Sequence, residues 1–217
     1  MESRTAMVKV LSEQFIRDAI EDVTWDLGNK ALYDLCSQYP KHDQPNKIAA
    51  KIWLIGRSYA VAIERRRNIP EGQPMGDRFF IEVVIKKILN SEMDRWISDA
   101  RAEPVGRNEI SLRTHCLVQN LFRDISGQSK RSLASKYLHF HLPERFFIFD
   151  SRAKTALAHL TRGFALDRTS EQHDSEYARF VQRCGEFCRN HLSPDGKALT
   201  PRQLDKVLLR YSENNEN

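Results

Sequence analysis

A chain of 217 residues with 34 lysines and arginines against 29 aspartates and glutamates, net +5, is long enough to bury a core and basic enough to meet a polyanion. No segment approaches the roughly 20 apolar residues that cross a bilayer, and the start, MESRTAMVKVLSEQF, lacks a signal-peptide core. Four cysteines, Cys36, Cys116, Cys184 and Cys188, lie in apolar or helical contexts and do not make a disulfide framework, so the expectation is a soluble, cytoplasmic protein with reduced thiols.

In chain order, apolar residues recur at helical spacing almost throughout. From Glu13 to about Tyr39 the stripe Phe15, Ile16, Ile20, Val23, Leu27, Leu32, Leu35 and Cys36 predicts helix with a break at Gly28-Asn29, and Pro40 ends it. Residues 46 to 67, NKIAAKIWLIGRSYAVAIERRR, read as one long helix with Asn46 as N-cap. IPEGQPMGD, from Ile69, is a loop, and residues 68 to 77 are where two lobes would meet. Arg78 to Arg101 fits one or two helices, and Ile110 to Ile125 another. Ser126-Gly127-Gln128 is a turn, and a helix from about Arg131 to Phe140 is stopped by Pro143. The next helix starts at Asp150 or Ser151 and runs to about Leu160. Tyr177 to Leu192 and Pro201 to Tyr211 supply the last two, the final one opened by Thr200 as N-cap and Pro201 at the first helical position; the tail SENNEN is expected to fray. Only RFFIFD, residues 145 to 150, has the run of a short strand. With no repeat and no low-complexity tract, the expectation is one compact all-α unit over residues 1–217, divisible into a lobe of residues 1–67 with the C-terminal helices and a lobe of residues 78–160.

The chemistry concentrates in SGQSKRSLASKYLHFHLPERFFIFDSRA, which starts at Ser126. A hairpin between two helices points backbone N–H groups outward at the start of the second, where unpaired donors and the helix dipole favour a phosphate. Gly127, Gln128, Ser129, Lys130 and Arg131 form that bend, and the two basic residues strengthen it. The apolar run Phe146-Phe147-Ile148-Phe149 would anchor Asp150 in a rigid wall with its carboxylate at a helix start, as a catalytic acid requires. The plainer role for Asp150 is an N-cap, at which aspartate is among the best residues.

The order Gly127 turn, Lys130-Arg131, Ala134, Leu138, Pro143, Phe147-Ile148-Phe149-Asp150, Arg152 resembles the helix-hairpin-helix DNA glycosylases, the superfamily of endonuclease III and 8-oxoguanine glycosylase. The likeness covers Ser126 to Arg152; elsewhere it rests on the all-α pattern alone. In that superfamily a glycine-rich hairpin and the helix after it bind backbone phosphate, and an aspartate follows an apolar triplet. The resemblance implies a two-lobed helix-hairpin-helix fold that needs no cofactor. Its partner would be double-stranded DNA with a modified or damaged base, flipped out and cut at the N-glycosidic bond. Arg152 becomes a further phosphate contact, and Asp150 the group that stabilises an oxocarbenium-like sugar and orients or deprotonates water. Bifunctional members carry a Schiff-base lysine at an interval that here lands on Ser132 or Arg131, neither of which forms an imine. Lys136 is too deep in the helix, and only a one-residue hairpin insertion would bring Lys130 into play; Ser129 also replaces the second hairpin glycine. A monofunctional enzyme is therefore expected, with Lys130 and Ser132 the remaining catalytic positions to weigh beside Asp150. A role against phage DNA bearing modified bases is an analogy at the level of the family.

Elsewhere, Trp53, Arg57, Tyr59 and Glu64 would sit on the long helix, with Arg57, Ala60, Glu64 and Arg67 as one stripe. They read either as walls for a flipped base or as an intrahelical ion pair with Trp53 and Tyr59 packed in the core. Cys184-x3-Cys188-x2-His191 has metal-like spacing but no matching ligand set, so packed thiols and no metal are expected. His139 and His141 flank Phe140 at a helix end that would fray toward phosphate or sugar, and Arg202 with Asp205 reads as a local ion pair. No Gly-x-Ser-x-Gly, P-loop or His-Glu-x-x-His motif occurs. The rival to a glycosylase is a non-catalytic helical module for nucleic acid or protein, in which Asp150 only caps a helix.

Overall fold

The computed structural model describes residues 9–65 and 74–215. These are helical, as the spacing predicts; no strand forms among them, and an isolated antiparallel bridge joins Leu192 to Ala198. RFFIFD is irregular rather than a strand. Two compact units result, Asp26–Phe146 and Met1–Trp25 with Phe147–Asn217. Residues 68–73 of the loop at which two lobes were expected to meet lie outside the described residues, as do Arg66 and Arg67.

The unit Asp26–Phe146 holds α2 (Asp26–Gln38), α3 (Pro45–Ser58), α4 (Gly76–Phe79), a π-helical segment (Phe80–Ile85), α5 (Lys86–Leu89), α6 (Met93–Ala102), α7 (Glu109–Ser126) and α8 (Arg131–His141). Its axis is α8, which is buried continuously from Leu133 to His141 beneath α2, α3 and α7. A helix enclosed on every side must satisfy its polar side chains internally. Ser135 Oγ donates to the Ser132 carbonyl at 3.0 Å, and Lys136 Nζ to Ser132 Oγ at 2.9 Å. His139 donates from Nδ1 to the Phe146 carbonyl at 2.7 Å and accepts at Nε2 from the Tyr33 hydroxyl at 2.6 Å. His139 and His141 are therefore core residues and not a frayed end.

Several helix boundaries differ from the pattern-based expectation. The first break falls after α1 (Glu13–Glu21), not at Gly28-Asn29, because the Asp22 carboxylate accepts from both Thr24 N–H, at 2.9 Å, and Thr24 Oγ1, at 2.6 Å. That local turn removes the acceptor geometry a helix needs, and α2 then runs through Gly28. Likewise α3 opens at Gln44-Pro45 rather than at Asn46 and stops at Ser58, nine residues short of Arg67. The chain reverses there: Ala60 takes φ +53°, and Val61 N–H donates to the Gly56 carbonyl at 2.8 Å. A Cβ on Gly56 would sit 3.0 Å from Ala62 Cα, a backbone atom that cannot step aside. Gly56→Ala is therefore expected to lower unfolding free energy by about 1–2 kcal/mol, read as a lower urea midpoint at unchanged slope.

In the other unit, α11 (Pro201–Asn215) packs on α9 (Ser151–Leu160) and α1, and α10 (Ser175–Asn190) packs on α9. Thr200 caps α11 reciprocally: Gln203 N–H donates to Thr200 Oγ1 at 3.2 Å, and Thr200 N–H to Gln203 Oε1 at 2.9 Å. The segment SENN continues α11 to Asn215 instead of fraying. Arg202 and Asp205 form the expected local pair at 2.6 Å, both largely buried.

Candidate functional site

The hairpin forms where the sequence puts it. Gly127 ends α7 in the left-handed region, φ +71°, which glycine reaches without a Cβ penalty, and its N–H donates to the Arg123 carbonyl at 2.7 Å. Ser126 Oγ donates to the Phe122 carbonyl at 2.8 Å and accepts from Gln128 N–H at 3.3 Å, so the bend is braced from inside. Gln119 Nε2 steadies Ser129 Oγ at 2.9 Å. Beyond this, α8 starts at Lys130 with no side-chain cap. Lys130 Nζ donates to the carbonyls of Arg65 at 2.5 Å and Ala62 at 3.4 Å, and the Arg131 carbonyl accepts from His115 Nε2 at 3.3 Å. The amine of Lys136 meets Ser132 one turn earlier because helical side chains lean toward the N-terminus, and it is buried there.

Asp150 belongs to the other unit. It is half-buried, extended at φ −148°, and its Oδ1 accepts from Ala153 N–H at 2.8 Å while its carbonyl takes Lys154 N–H at 3.0 Å. The apolar run before it is anchored as expected. Phe149 packs edge-on against Tyr177 and Phe180, with ring centroids 6.3 and 5.2 Å apart, and the Tyr177 hydroxyl donates to the Phe147 carbonyl at 3.0 Å. Arg152 is exposed in the first turn of α9.

Three of the four residues expected to wall a base meet in one open groove of about 580 Å³ within the unit Asp26–Phe146. Trp53 and Arg57 come from α3 and Glu64 from the reversed chain after it, facing Phe80 and Ile81 of the π-helical segment. Because α3 stops at Ser58, Ala60 and Glu64 lie beyond the helix that carries Arg57, and Arg67, the last residue of the expected stripe, lies outside the described residues; Arg57 Nη2 reaches Glu64 Oε1 at 2.8 Å across the reversal. Trp53 is exposed, not packed in the core. Tyr59 stands apart from the groove: its hydroxyl donates to Asn29 Oδ1 at 2.8 Å, and its ring packs on Phe140. Sequence reasoning missed Phe80 and Ile81. The signal was FFIEVVI, whose adjacent apolar residues cannot all face one side of a regular helix.

A buried polar cluster was also missed. His42 donates from Nδ1 to Asp94 Oδ1 at 2.6 Å and accepts at Nε2 from the Tyr137 hydroxyl at 2.7 Å. His141 stacks on His42 with centroids 5.2 Å apart, and Lys51 Nζ lies 3.4 Å from His141 Nε2 while donating to the carbonyls of Tyr39 and Lys41, each at 2.9 Å. Burial pushes His42 down to about 4, with Lys51 adding to the effect and the Asp94 contact opposing it; burial first, then His42 and Lys51, holds His141 well below its ordinary value. Burial also raises the Cys184 thiol well above its usual range and Cys188 to about 12, so both stay protonated. His191 donates from Nδ1 to the Phe187 carbonyl at 3.0 Å and accepts at Nε2 from Leu11 N–H at 3.0 Å, which occupies both ring nitrogens. No group of three or more His, Cys, Asp or Glu able to hold a metal occurs among the described residues.

Comparison with protein-family models, with curated proteins and with solved structures returns no match. Among the described residues, no helix is long and apolar enough to cross a membrane.

Proposed function

We propose that the protein is a monofunctional DNA glycosylase of helix-hairpin-helix type, acting on double-stranded DNA that carries a modified or damaged base. The observation that carries this reading is the order of elements along the chain: in one unit α7, a left-handed Gly127 and an α8 without a side-chain cap, and then, in the other, a tethered apolar run that ends in Asp150 at the start of α9. In this reading the hairpin and Lys130, Arg131 and Arg152 hold the backbone through phosphate, leaving sequence unread. The target nucleotide leaves the stack, since its glycosidic bond is inaccessible inside the duplex. As that bond breaks, the bonding electrons leave with the base and positive charge grows on the sugar, where the Asp150 carboxylate stabilises it. Water adds to the anomeric carbon and gives its proton to that carboxylate or to bulk solvent. Lys130 Nζ is engaged by two backbone carbonyls, which is in keeping with hydrolysis without an imine. By analogy with the family, modified phage DNA is one source of such bases.

Base release is the test. Duplexes bearing oxidised, alkylated or phage-type modified bases, treated with the protein and then alkali, should break at the modified position; intact strands across all of them contradict the reading. Lys130→Ala should weaken duplex binding and reduce the slope of log affinity against log salt by about one, with the rate of release from the bound complex unchanged. A second reading is favoured by one contact, the Asp150 Oδ1 cap on Ala153 N–H. A non-catalytic binding module would use Asp150 for that alone, and would bind duplex with the same salt dependence but release no base.

A further inference from the structure

The groove between α3 and the π-helical segment carries an inference that depends on neither Asp150 nor the hairpin. Trp53 is 49 % exposed and Ile81 59 % exposed, on two elements that face each other across a floor of Ala49, Ala50 and Phe79. Large apolar side chains left in water together mark a surface made to be covered. The Arg57 guanidinium lies over the Trp53 ring, 4.9 Å from its centroid, and Glu64, at 2.8 Å, pins it there, so indole and cation form one stacked pair. Among the described residues, that ion pair leaves Arg57 Nη1 as a donor and Glu64 Oε2 as an acceptor with no hydrogen-bond partner.

We propose that this groove is a platform for one unstacked base of single-stranded nucleic acid. A base can stack on such an indole–guanidinium pair by its face, whichever base it is. The neighbouring donor and acceptor match a base edge on which an acceptor adjoins a donor, an arrangement that guanine, adenine, cytosine and thymine all present. The ligand is thus recognised as a nucleobase with little preference among the four. A strand is favoured over a free nucleoside because the groove is open: Arg57 is 58 % exposed beside the half-exposed indole, whereas a small-molecule site encloses most of its ligand. The π-helical segment supplies the opposing wall with Phe80 and Ile81.

Fluorescence anisotropy with a short labelled oligothymidylate tests this on the full chain. Trp53→Ala and Arg57→Ala should each weaken binding, Trp53→Ala by at least about fivefold. Leu54→Ala, on the same helix and 46 % exposed but outside the groove, should leave it unchanged. A strand of the same length without bases should bind wild type and Trp53→Ala alike. Unaltered affinity in Trp53→Ala, or equal affinity of wild type for the base-free strand, overturns the proposal. So does saturable binding of free thymidine as tight as that of the strand. Asp150→Asn should bind like wild type here, which keeps a failure of the glycosylase reading separate from a failure of this one.

Discussion

Replacing Asp150 by asparagine is expected to reduce base release by at least about a hundredfold to a thousandfold, while leaving duplex binding and stability near wild type. The separation follows from the cap. Asparagine caps helices as well as aspartate does, so the contact from Ala153 N–H to Oδ1 at 2.8 Å survives, and with it the opening turn of α9. What disappears is the negative charge that, in the proposed reaction, stabilises the developing sugar cation. Asp150→Ala removes both charge and cap and should also cost about 1 kcal/mol of stability. Release from a modified duplex, duplex affinity and a urea midpoint, measured on the three proteins together, check the pattern. Equal release by wild type and Asp150→Asn would reduce Asp150 to a helix cap.

The second large effect is on stability against pH. His42 is held near 4 in the folded protein, against 6.5 when solvated, chiefly by burial. Between those values the unfolded chain binds a proton that the folded chain refuses, so stability rises with pH across the window, is complete above about 6.5 and is lost as pH falls toward 4. The gap corresponds to about 3 kcal/mol from this residue alone, and His141, depressed for the same reason, acts in the same direction. The geometry explains the refusal. Nε2 accepts from the Tyr137 hydroxyl, so a second ring proton would reverse that bond and take the acceptor from the buried Tyr137 O–H, and Lys51 lies within the same cluster. Urea unfolding at pH 7 and pH 4.5 should show the drop, and His42→Gln should reduce it, with His141 supplying the remainder. Equal stability at the two pH values would contradict this assignment.

Much of the fold was readable where local chemistry decides it. The cap and first residue of α11, the Gly127 stop of α7 and the Asp150 start of α9 lie where Thr200-Pro201, Ser126-Gly127 and Asp150-Ser151 put them, because each is a contact between residues near in sequence. The end of α3 was not readable, since nothing in RSYAVAIE forbids helix; the stop depends on Gly56 admitting Ala62 at close range. Arg57 and Glu64 were paired for a helical stripe and meet instead across a reversal. His139 and His141 looked like a polar helix end because their partners, Tyr33, Phe146 and Lys51, are brought in by other elements. The π-helical segment likewise shows in sequence only as too many adjacent apolar residues for one face.

Mass spectrometry of the small molecules freed from a duplex with one modified base tests the enzymatic reading most directly. The wild-type protein should yield the free base in equal amount to abasic sites left in the strand, with no nick until alkali is added, and Asp150→Asn should yield neither. Tight, salt-sensitive binding by both proteins with no free base from either would contradict it and leave a helical module that grips nucleic acid without cutting it.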